Sequence, residues 1–354
     1  MPRLLLLLNL DDGLLENEDL ERRDKIADCI SNILLGFYEA NILVQASDEL
    51  YDFYEPFVTD NRAKRALAYL KANNSFAYDI EPFNVVNKEP KKVKTSQREI
   101  SIFFFEKTIS VQKAIILGEN ANDASFYGYL AHIYYPNVRL SYKKVGGGGS
   151  TTSDVLVEIQ KQNERFCLVI ADSDKRYPNA PMGGTAESVG KVWNRNLTQI
   201  GVYTIAVHEV ENLLPVGFVK EKSKTNKEAR NFLSKLLQSE NLKFYWRYYD
   251  IKEGVCISEI ESSADYYSFA EKLYKEVYGT KQSFEKYLAQ LKLSKKEKKV
   301  FPIIRGDLLD KFVSLKEKDK IKFPMTLFVQ ECKDIAQKVV EFACCRSNDN
   351  PLNI

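Results

Sequence analysis

Acidic side chains follow two apolar runs of this sequence. Glu119 comes after the run Ala114–Leu117, and Asp172 and Asp174 come after the run Phe166–Ala171. Residues i and i+2 of an extended chain point the same way, so the two aspartates can face one point. In an open α/β sheet, ligands bind at the carboxyl ends of the strands. Three carboxylates that converge there would form an oxygen-only site suited to Mg²⁺ or Mn²⁺.

The composition favours oxygen ligands over nitrogen or sulfur ligands. The 354 residues include two histidines, which nearly excludes zinc triads and other chemistry built on histidine clusters. Six cysteines without a CxxC pair indicate reduced, buried thiols in a cytosolic protein. The net charge of +2 excludes a uniformly basic nucleic-acid coat protein.

Strands must deliver these motifs and helices must follow them. Between residues 111 and 215, apolar runs and helical patterns alternate, which predicts a parallel α/β sheet. The predicted strands are Ala114–Leu117, Val138–Tyr142, Phe166–Ala171 and Val202–Val207, and the predicted helices are Asp123–Ile133 and Asp154–Gln162.

Two further regions flank this α/β domain. Residues 1–110 begin with a predicted strand at Leu4–Leu10, a helix from Glu18 to Tyr38 and a second short strand at Asn41–Val44, which indicates an N-terminal α/β region. Residues 216–354 are mainly helical in pattern, apart from an aromatic strand predicted at Lys243–Tyr249. No apolar stretch of 18 residues occurs, so no membrane span is expected. The predicted domains are therefore 1–110, 111–215 and 216–354.

The order and spacing of the acidic motifs resemble the TOPRIM domain of topoisomerases, primases, small RNA-maturation nucleases and OLD-type nucleases. That family has an apolar strand, a Glu, three residues and an Asp, and later an apolar strand with Asp-x-Asp. The matching residues here are Glu119, Asp123, Asp172 and Asp174. The family often has Gly after the Glu, where this chain has Asn120. The resemblance covers about residues 111–215, under a third of the chain, and implies a TOPRIM-like parallel sheet.

A further segment makes the resemblance more specific, because it is similar to a motif found in one branch of the TOPRIM family. Glu211-Asn212-Leu213 follows a predicted strand and is similar to the extra acidic motif of OLD-like nucleases and of the TOPRIM effectors of PARIS-type anti-phage systems. The resemblance implies that Glu211 adds a carboxylate near the metal ions. Glu209 would lie on the same side if the segment is extended.

The resemblance implies phosphodiester cleavage at two metal ions. Asp172, Asp174 and Glu211 would hold metal ions. Glu119 would either be a ligand of the other of the two ions or take the proton from the attacking water. Lys175 and Lys252 are candidates for neutralising negative charge in the transition state. The alternative for each is an ordinary surface lysine.

Structural roles remain alternatives for several positions. Glu119 could cap the following helix, and Asp123 fits a cap better than a metal ligand. Gly146–Ser150 fits a native strand-to-helix turn with N–H groups free to approach a phosphate, or an engineered linker. His208 could support the acidic motif or simply pack. The aromatic residues around Phe244 fit a half-buried strand better than a base-stacking surface.

These features predict a cytoplasmic, Mg²⁺-dependent nuclease acting on DNA or RNA, tRNA included, as the effector of an anti-phage system. No GxxxxGK[ST] motif occurs, so the resemblance implies a separate ATPase partner, with residues 1–110 as its docking surface by elimination. Nucleotidyl transfer, as in primases, and a non-catalytic regulatory subunit are the alternatives. The substrate, the trigger and the oligomeric state stay open.

Overall fold

The computed structural model describes residues 7–16, 19–73, 82–224, 227–293, 299–323 and 326–347. Contacts divide the chain into two compact units, each made of non-consecutive segments. Unit 1 contains the described parts of Met1–Ile170, Val189–Tyr203 and Lys333–Ile354. Unit 2 contains those of Ala171–Ser188 and Thr204–Cys332.

A four-stranded parallel sheet opens unit 1, with strand order β2-β1-β3-β4. Its strands are β1 (Leu7–Leu10), β2 (Leu43–Gln45), β3 (Phe83–Val86) and β4 (Glu99–Ser101), and its helices are α1 (Leu20–Tyr38), α2 (Asp48–Tyr54) and α3 (Asn61–Ala72). Helix α1 begins where the Asp19 carboxylate accepts the Glu21 N–H, and it buries the apolar stripe that contains Ile26, Ile30 and Ile33. The predicted N-terminal α/β region is confirmed, and its sheet gains two strands that the sequence did not predict.

A second four-stranded sheet follows in unit 1, with strand order β7-β5-β8-β9. The elements of this part are β5 (Ala114–Gly118), α4 (Ala121–Tyr134), β6 (Val138–Leu140), β7 (Tyr142–Gly146), α5 (Thr152–Gln162), β8 (Cys167–Ala171), α6 (Gly184–Val192) and β9 (Ile200–Thr204). Strand β5 runs parallel to β7 and to β8, with Leu117 opposite both Val145 and Val169. The predicted α/β class with parallel strands is therefore confirmed.

In this second sheet, the side on which successive strands are added changes once. The chain passes from β5 to β7 on one side and then returns to β8 on the other side of β5. Strand β8 is buried along its whole length, as expected for a strand covered on both faces. The carboxyl ends of β5 and β8 thus meet at the topological switch point, where open α/β sheets bind ligands.

Unit 2 is mainly helical, and it includes 216–332, the first part of the helical region that the sequence predicts at 216–354. Its further helices are α7 (Val216–Lys222), α8 (Lys227–Leu236), α9 (Leu242–Arg247), α10 (Ile257–Glu261), α11 (Ala264–Tyr278), α12 (Phe284–Leu293), α13 (Leu308–Ser314) and α14 (Glu317–Lys320). The aromatic strand predicted at Lys243–Tyr249 is wrong, because this segment forms α9. Tyr245, Trp246 and Tyr249 are buried at helical rather than alternating spacing, while Phe244 is 46% exposed.

Two last elements return the chain to unit 1. They are α15 (Val329–Ala343) and β10 (Cys344–Ser347). Strand β10 pairs antiparallel with β6, and the Phe342 ring packs edge-on against Phe83 at 5.9 Å. Within the described ranges, no helix is both long and apolar enough to cross a membrane.

Candidate acidic site

Glu119 lies in unit 1, directly after β5, and is half-buried. It does not cap the next helix. Asn120 does, because its side chain accepts the N–H groups of Asn122 and Asp123. The Asp123 carboxylate accepts the Asn120 N–H in return at 2.8 Å, which completes a capping box. The capping role expected for Asp123 is confirmed, and the capping alternative for Glu119 is wrong.

The glycine segment after β7 closes on the end of β5. Gly147 N–H donates to the Gly118 carbonyl at 2.9 Å, and the N–H groups of Gly148 and Gly149 donate to the Glu119 carbonyl at 2.7 and 3.3 Å. Gly148 and Gly149 have φ of +79° and +63°, a region that favours glycine. The segment is thus an integral turn of the fold. The expectation that these N–H groups are free for a phosphate is wrong, because carbonyl oxygens already occupy them.

The Asp172–Lys175 segment opens unit 2 directly after β8. Asp172 is buried, with 5% of its surface exposed. Asp174 adopts a left-handed conformation with φ of +50°, so the two aspartates are not on one extended strand as predicted. Ser173 Oγ donates to the Val207 carbonyl, and Asp174 N–H donates to the His208 carbonyl at 2.9 Å. These bonds to a segment more than 30 residues away bend the chain at Asp174.

The Glu209–Glu211 segment is a buried 3₁₀ turn, Val210–Leu213, rather than an extended chain. The Glu209 carboxylate accepts the N–H groups of Ile251 and Lys252 through Oε1 at 2.7 and 3.2 Å. Asn212 is fully buried, and its side-chain amide both accepts and donates hydrogen bonds. Its Oδ1 accepts the Glu209 N–H, and its Nδ2 donates to the carbonyls of Trp246 and Tyr249. These bonds fix both glutamates against the segment that carries Lys252.

Lys252 joins the two glutamates. Its Nζ lies 3.1 Å from Glu209 Oε2 and 2.8 Å from Glu211 Oε2. Burial lowers the pKa of Lys252, but the charges of Glu209, Glu211 and Asp172 outweigh burial and hold the pKa far above its usual value. Burial and the charge of Glu211 raise the pKa of Glu209 to about 7, against the opposing effect of Lys252. Lys252 is thus more than a surface lysine, although 47% of its side chain is exposed.

A second set of charged groups supports the Asp172–Lys175 segment. His208 is buried, with Nδ1 at 3.1 Å from the Lys175 carbonyl and Nε2 at 3.5 Å from Asp250 Oδ2. Arg176 pairs with Asp250 at 3.0 Å and with Glu259. Burial lowers the pKa of His208, but Asp250 and the nearby acids more than compensate and raise it above its usual value. His208 therefore does more than pack, because its ring nitrogens contact the Lys175 carbonyl and Asp250.

Unit 2 thus gathers Asp172, Glu209, Glu211 and Lys252. Lys175 is half-buried and is close to Asp172 in sequence. Glu119 and Asp123 belong to unit 1. Sequence reasoning missed Asp250 and Arg176, and it gave no role to Asn212, which lies within the Glu211-Asn212-Leu213 motif. Arg176 lies two positions after Asp174, which was the available signal.

The donor chemistry of this group fits a hard divalent cation. Glu209 and Glu211 contact the Lys252 ammonium, the charge of Asp172 also acts on it, and oxygen donors are what Mg²⁺ and Mn²⁺ prefer. Among the described residues, no three His, Cys, Asp or Glu side chains are arranged to hold a metal ion. In this conformation the Lys252 ammonium lies between Glu209 and Glu211.

Comparisons with protein-family models, with curated proteins and with solved structures find no match to this chain.

Proposed function

We propose that this chain is a Mg²⁺- or Mn²⁺-dependent endonuclease with a TOPRIM-like catalytic domain. The observation that carries the proposal is the set of buried carboxylates Asp172, Glu209 and Glu211, whose negative charges act together on the Lys252 ammonium. Burying carboxylates is costly unless cations compensate them, so buried acids that act together on one cation support a site that attracts cations.

The topology of the second sheet supports the proposal. Glu119 follows β5 and Asp172 follows β8, and these two neighbouring parallel strands end at the switch point. The acidic residues that resemble the TOPRIM pattern therefore follow the strands at which this kind of sheet places its ligands.

In the proposed reaction, Asp172, Asp174 and Glu211 hold the metal ions, with Glu119 as a further ligand or as the base that takes the proton from water. The bound ions would act as Lewis acids on the phosphate. Glu209 fixes the Ile251–Lys252 backbone, and its second oxygen faces Lys252. Lys175 and Lys252 are the candidates for neutralising charge on the phosphate in the transition state.

The biological setting is proposed from the resemblance alone. It implies a nucleic-acid substrate, DNA or RNA with tRNA included, and a cytoplasmic role in anti-phage defence. It also implies a separate ATPase that restrains or releases the nuclease, with residues 1–110 as the proposed docking surface.

The test is direct cleavage by the purified protein. Supercoiled plasmid, linear DNA and total tRNA are each incubated with Mg²⁺, with Mn²⁺ and with EDTA. The proposal expects metal-dependent cleavage of at least one substrate, lost in Asp172→Asn and kept in Glu253→Gln, which neutralises an exposed acid of the same unit. Primer extension with nucleotides, in place of cleavage, would instead support nucleotidyl transfer.

One observation favours a second candidate, a non-catalytic regulatory subunit. Lys252 already neutralises Glu209 and Glu211, as a group retained only for structure would require. If Glu119→Ala and Asp172→Ala leave both cleavage and cellular toxicity unchanged, this second candidate is the correct one.

A further inference from the structure

Lys252 is held in a way that suits an exchangeable counter-ion. Its Nζ contacts one carboxylate oxygen of Glu209 and one of Glu211, at 3.1 and 2.8 Å. The two glutamates are buried, whereas the lysine side chain is 47% exposed. The ammonium can therefore leave toward solvent along its own flexible chain without unfolding the acidic turn.

The acidic turn and the Glu209 carboxylate are held independently of the ammonium. Glu209 Oε1 accepts two backbone N–H groups, and Asn212 anchors the turn through three hydrogen bonds. Departure of Lys252 would thus leave the turn and Glu209 in place and remove this ammonium from both glutamates. A divalent cation is the chemical species that such a set of oxygens would then attract.

We infer that the Lys252 ammonium is a built-in competitor for the divalent cation, which must displace it from Glu209 and Glu211 before the site is loaded. This inference rests on the proposed function, because it describes how the same site is controlled. Any contact that draws Lys252 away from the acids would then favour metal loading.

The test is Mn²⁺ binding measured by titration calorimetry, without substrate. It is run at pH 8.5, so that protons do not compete for Glu209, whose pKa is raised to about 7. Lys252→Met should bind Mn²⁺ more tightly than the wild type, by about tenfold or more. Lys220→Met removes the same charge from an exposed position of unit 2 and should leave the affinity unchanged. Unchanged or weaker binding by Lys252→Met would overturn the inference.

A second measurement does not depend on the variant folding. In the wild-type protein with ¹⁵N-labelled lysine, the Lys252 Nζ protons should exchange slowly without metal. Mg²⁺ should release them into fast exchange. If Mg²⁺ binds and the Lys252 signal stays unchanged, the ammonium is not displaced and the inference fails.

The two proposals fail in distinguishable ways. Tighter Mn²⁺ binding by Lys252→Met without cleavage of any substrate would support the competitor and contradict the nuclease. Metal-dependent cleavage with an unchanged Mn²⁺ affinity in that variant would support the nuclease and contradict the competitor.

Discussion

Polar side chains cross the N-terminal sheet of unit 1 as a ladder of amides, whereas those of unit 2 form a group of carboxylates. In the ladder, Gln45 Nε2 donates to Asn9 Oδ1 at 3.0 Å, and Asn9 Nδ2 donates to Asn84 Oδ1 at 3.1 Å. An amide both donates and accepts, so the ladder satisfies itself. Carboxylates only accept, so Glu209 and Glu211 need a cation, and here they have Lys252. The difference separates a self-sufficient amide network from a carboxylate group that depends on a cation.

Both groups belong to similar parallel architectures. The strand order β2-β1-β3-β4 repeats in β7-β5-β8-β9, so each sheet has a switch point. At the end of β1, however, Asp11 accepts the Gly13 N–H and Asp12 accepts the Ser47 hydroxyl. These acids serve turns and caps, and they are exposed. Architecture alone therefore does not distinguish the two groups. What distinguishes the proposed site is the burial of its carboxylates and their pairing with Lys252.

The largest effect expected to separate the carboxylate group from the amide ladder is on the rate of metal-dependent cleavage. Glu211→Gln keeps the shape of the side chain and removes its charge, so metal-dependent cleavage should fall by about 10²-fold or more. Initial rates on the substrate found to be cleaved provide the measurement. Asn84→Ala, in the amide ladder, should cleave at the wild-type rate, and an equal loss in both variants would contradict the distinction.

The second effect is on stability. Asn212→Ala removes three buried hydrogen bonds and leaves the carbonyls of Trp246 and Tyr249 without this donor. The free energy of unfolding should fall by about 3 kcal/mol, as measured by urea denaturation. A loss below about 0.5 kcal/mol would show that the acidic turn does not depend on this anchor.

The third effect is a pH dependence of the metal-free protein. The pKa of Glu209 is raised to about 7, so the folded state binds more protons than the unfolded state between about pH 4.5 and 7. Its contribution to stability is therefore full below this window and is lost as the pH rises through it. The raised pKa of His208 acts in the same direction from its ordinary value upward.

Glu209→Gln isolates the first of these two contributions. Unfolding free energies at pH 5, 6 and 7 should decline less in the variant than in the wild type. Parallel pH profiles for the two proteins would mean that Glu209 titrates in its usual range.

The smallest effect belongs to the amide ladder. Asn84→Ala breaks the bond from Asn9 and the bond from its own amide to the Gln97 carbonyl. Because Asn84 is partly exposed, water can replace these partners, and the loss should be about 1 kcal/mol by denaturation. A loss as large as that of Asn212→Ala would remove the contrast between the two groups.

The sequence predicted those features that local pattern determines. The apolar run ending at Ala171 became β8, and the helical periodicity before Tyr38 became α1. Asp123 was expected to cap its helix and does so. Glu119 and Asp172 were also found in sequence, because each follows its strand directly.

Features set by distant contacts were missed. Strands β3 and β4 are four and three residues long and include Asn84 and Glu99, so neither shows a clear apolar alternation. The left-handed turn at Asp174 depends on its bond to the His208 carbonyl. The pairing of Lys252 with two glutamates depends on hydrogen bonds from the distant acidic turn to this part of the chain. The aromatic residues of α9, just before it, had predicted a strand.

Anomalous diffraction from crystals of the protein grown with Mn²⁺ tests the central claim most directly. The claim predicts an anomalous peak within coordination distance of Asp172 and Glu211 carboxylate oxygens, with the Lys252 ammonium moved away from Glu209 and Glu211. Absence of a peak there at saturating Mn²⁺, with Lys252 still seated between the two glutamates, would contradict it.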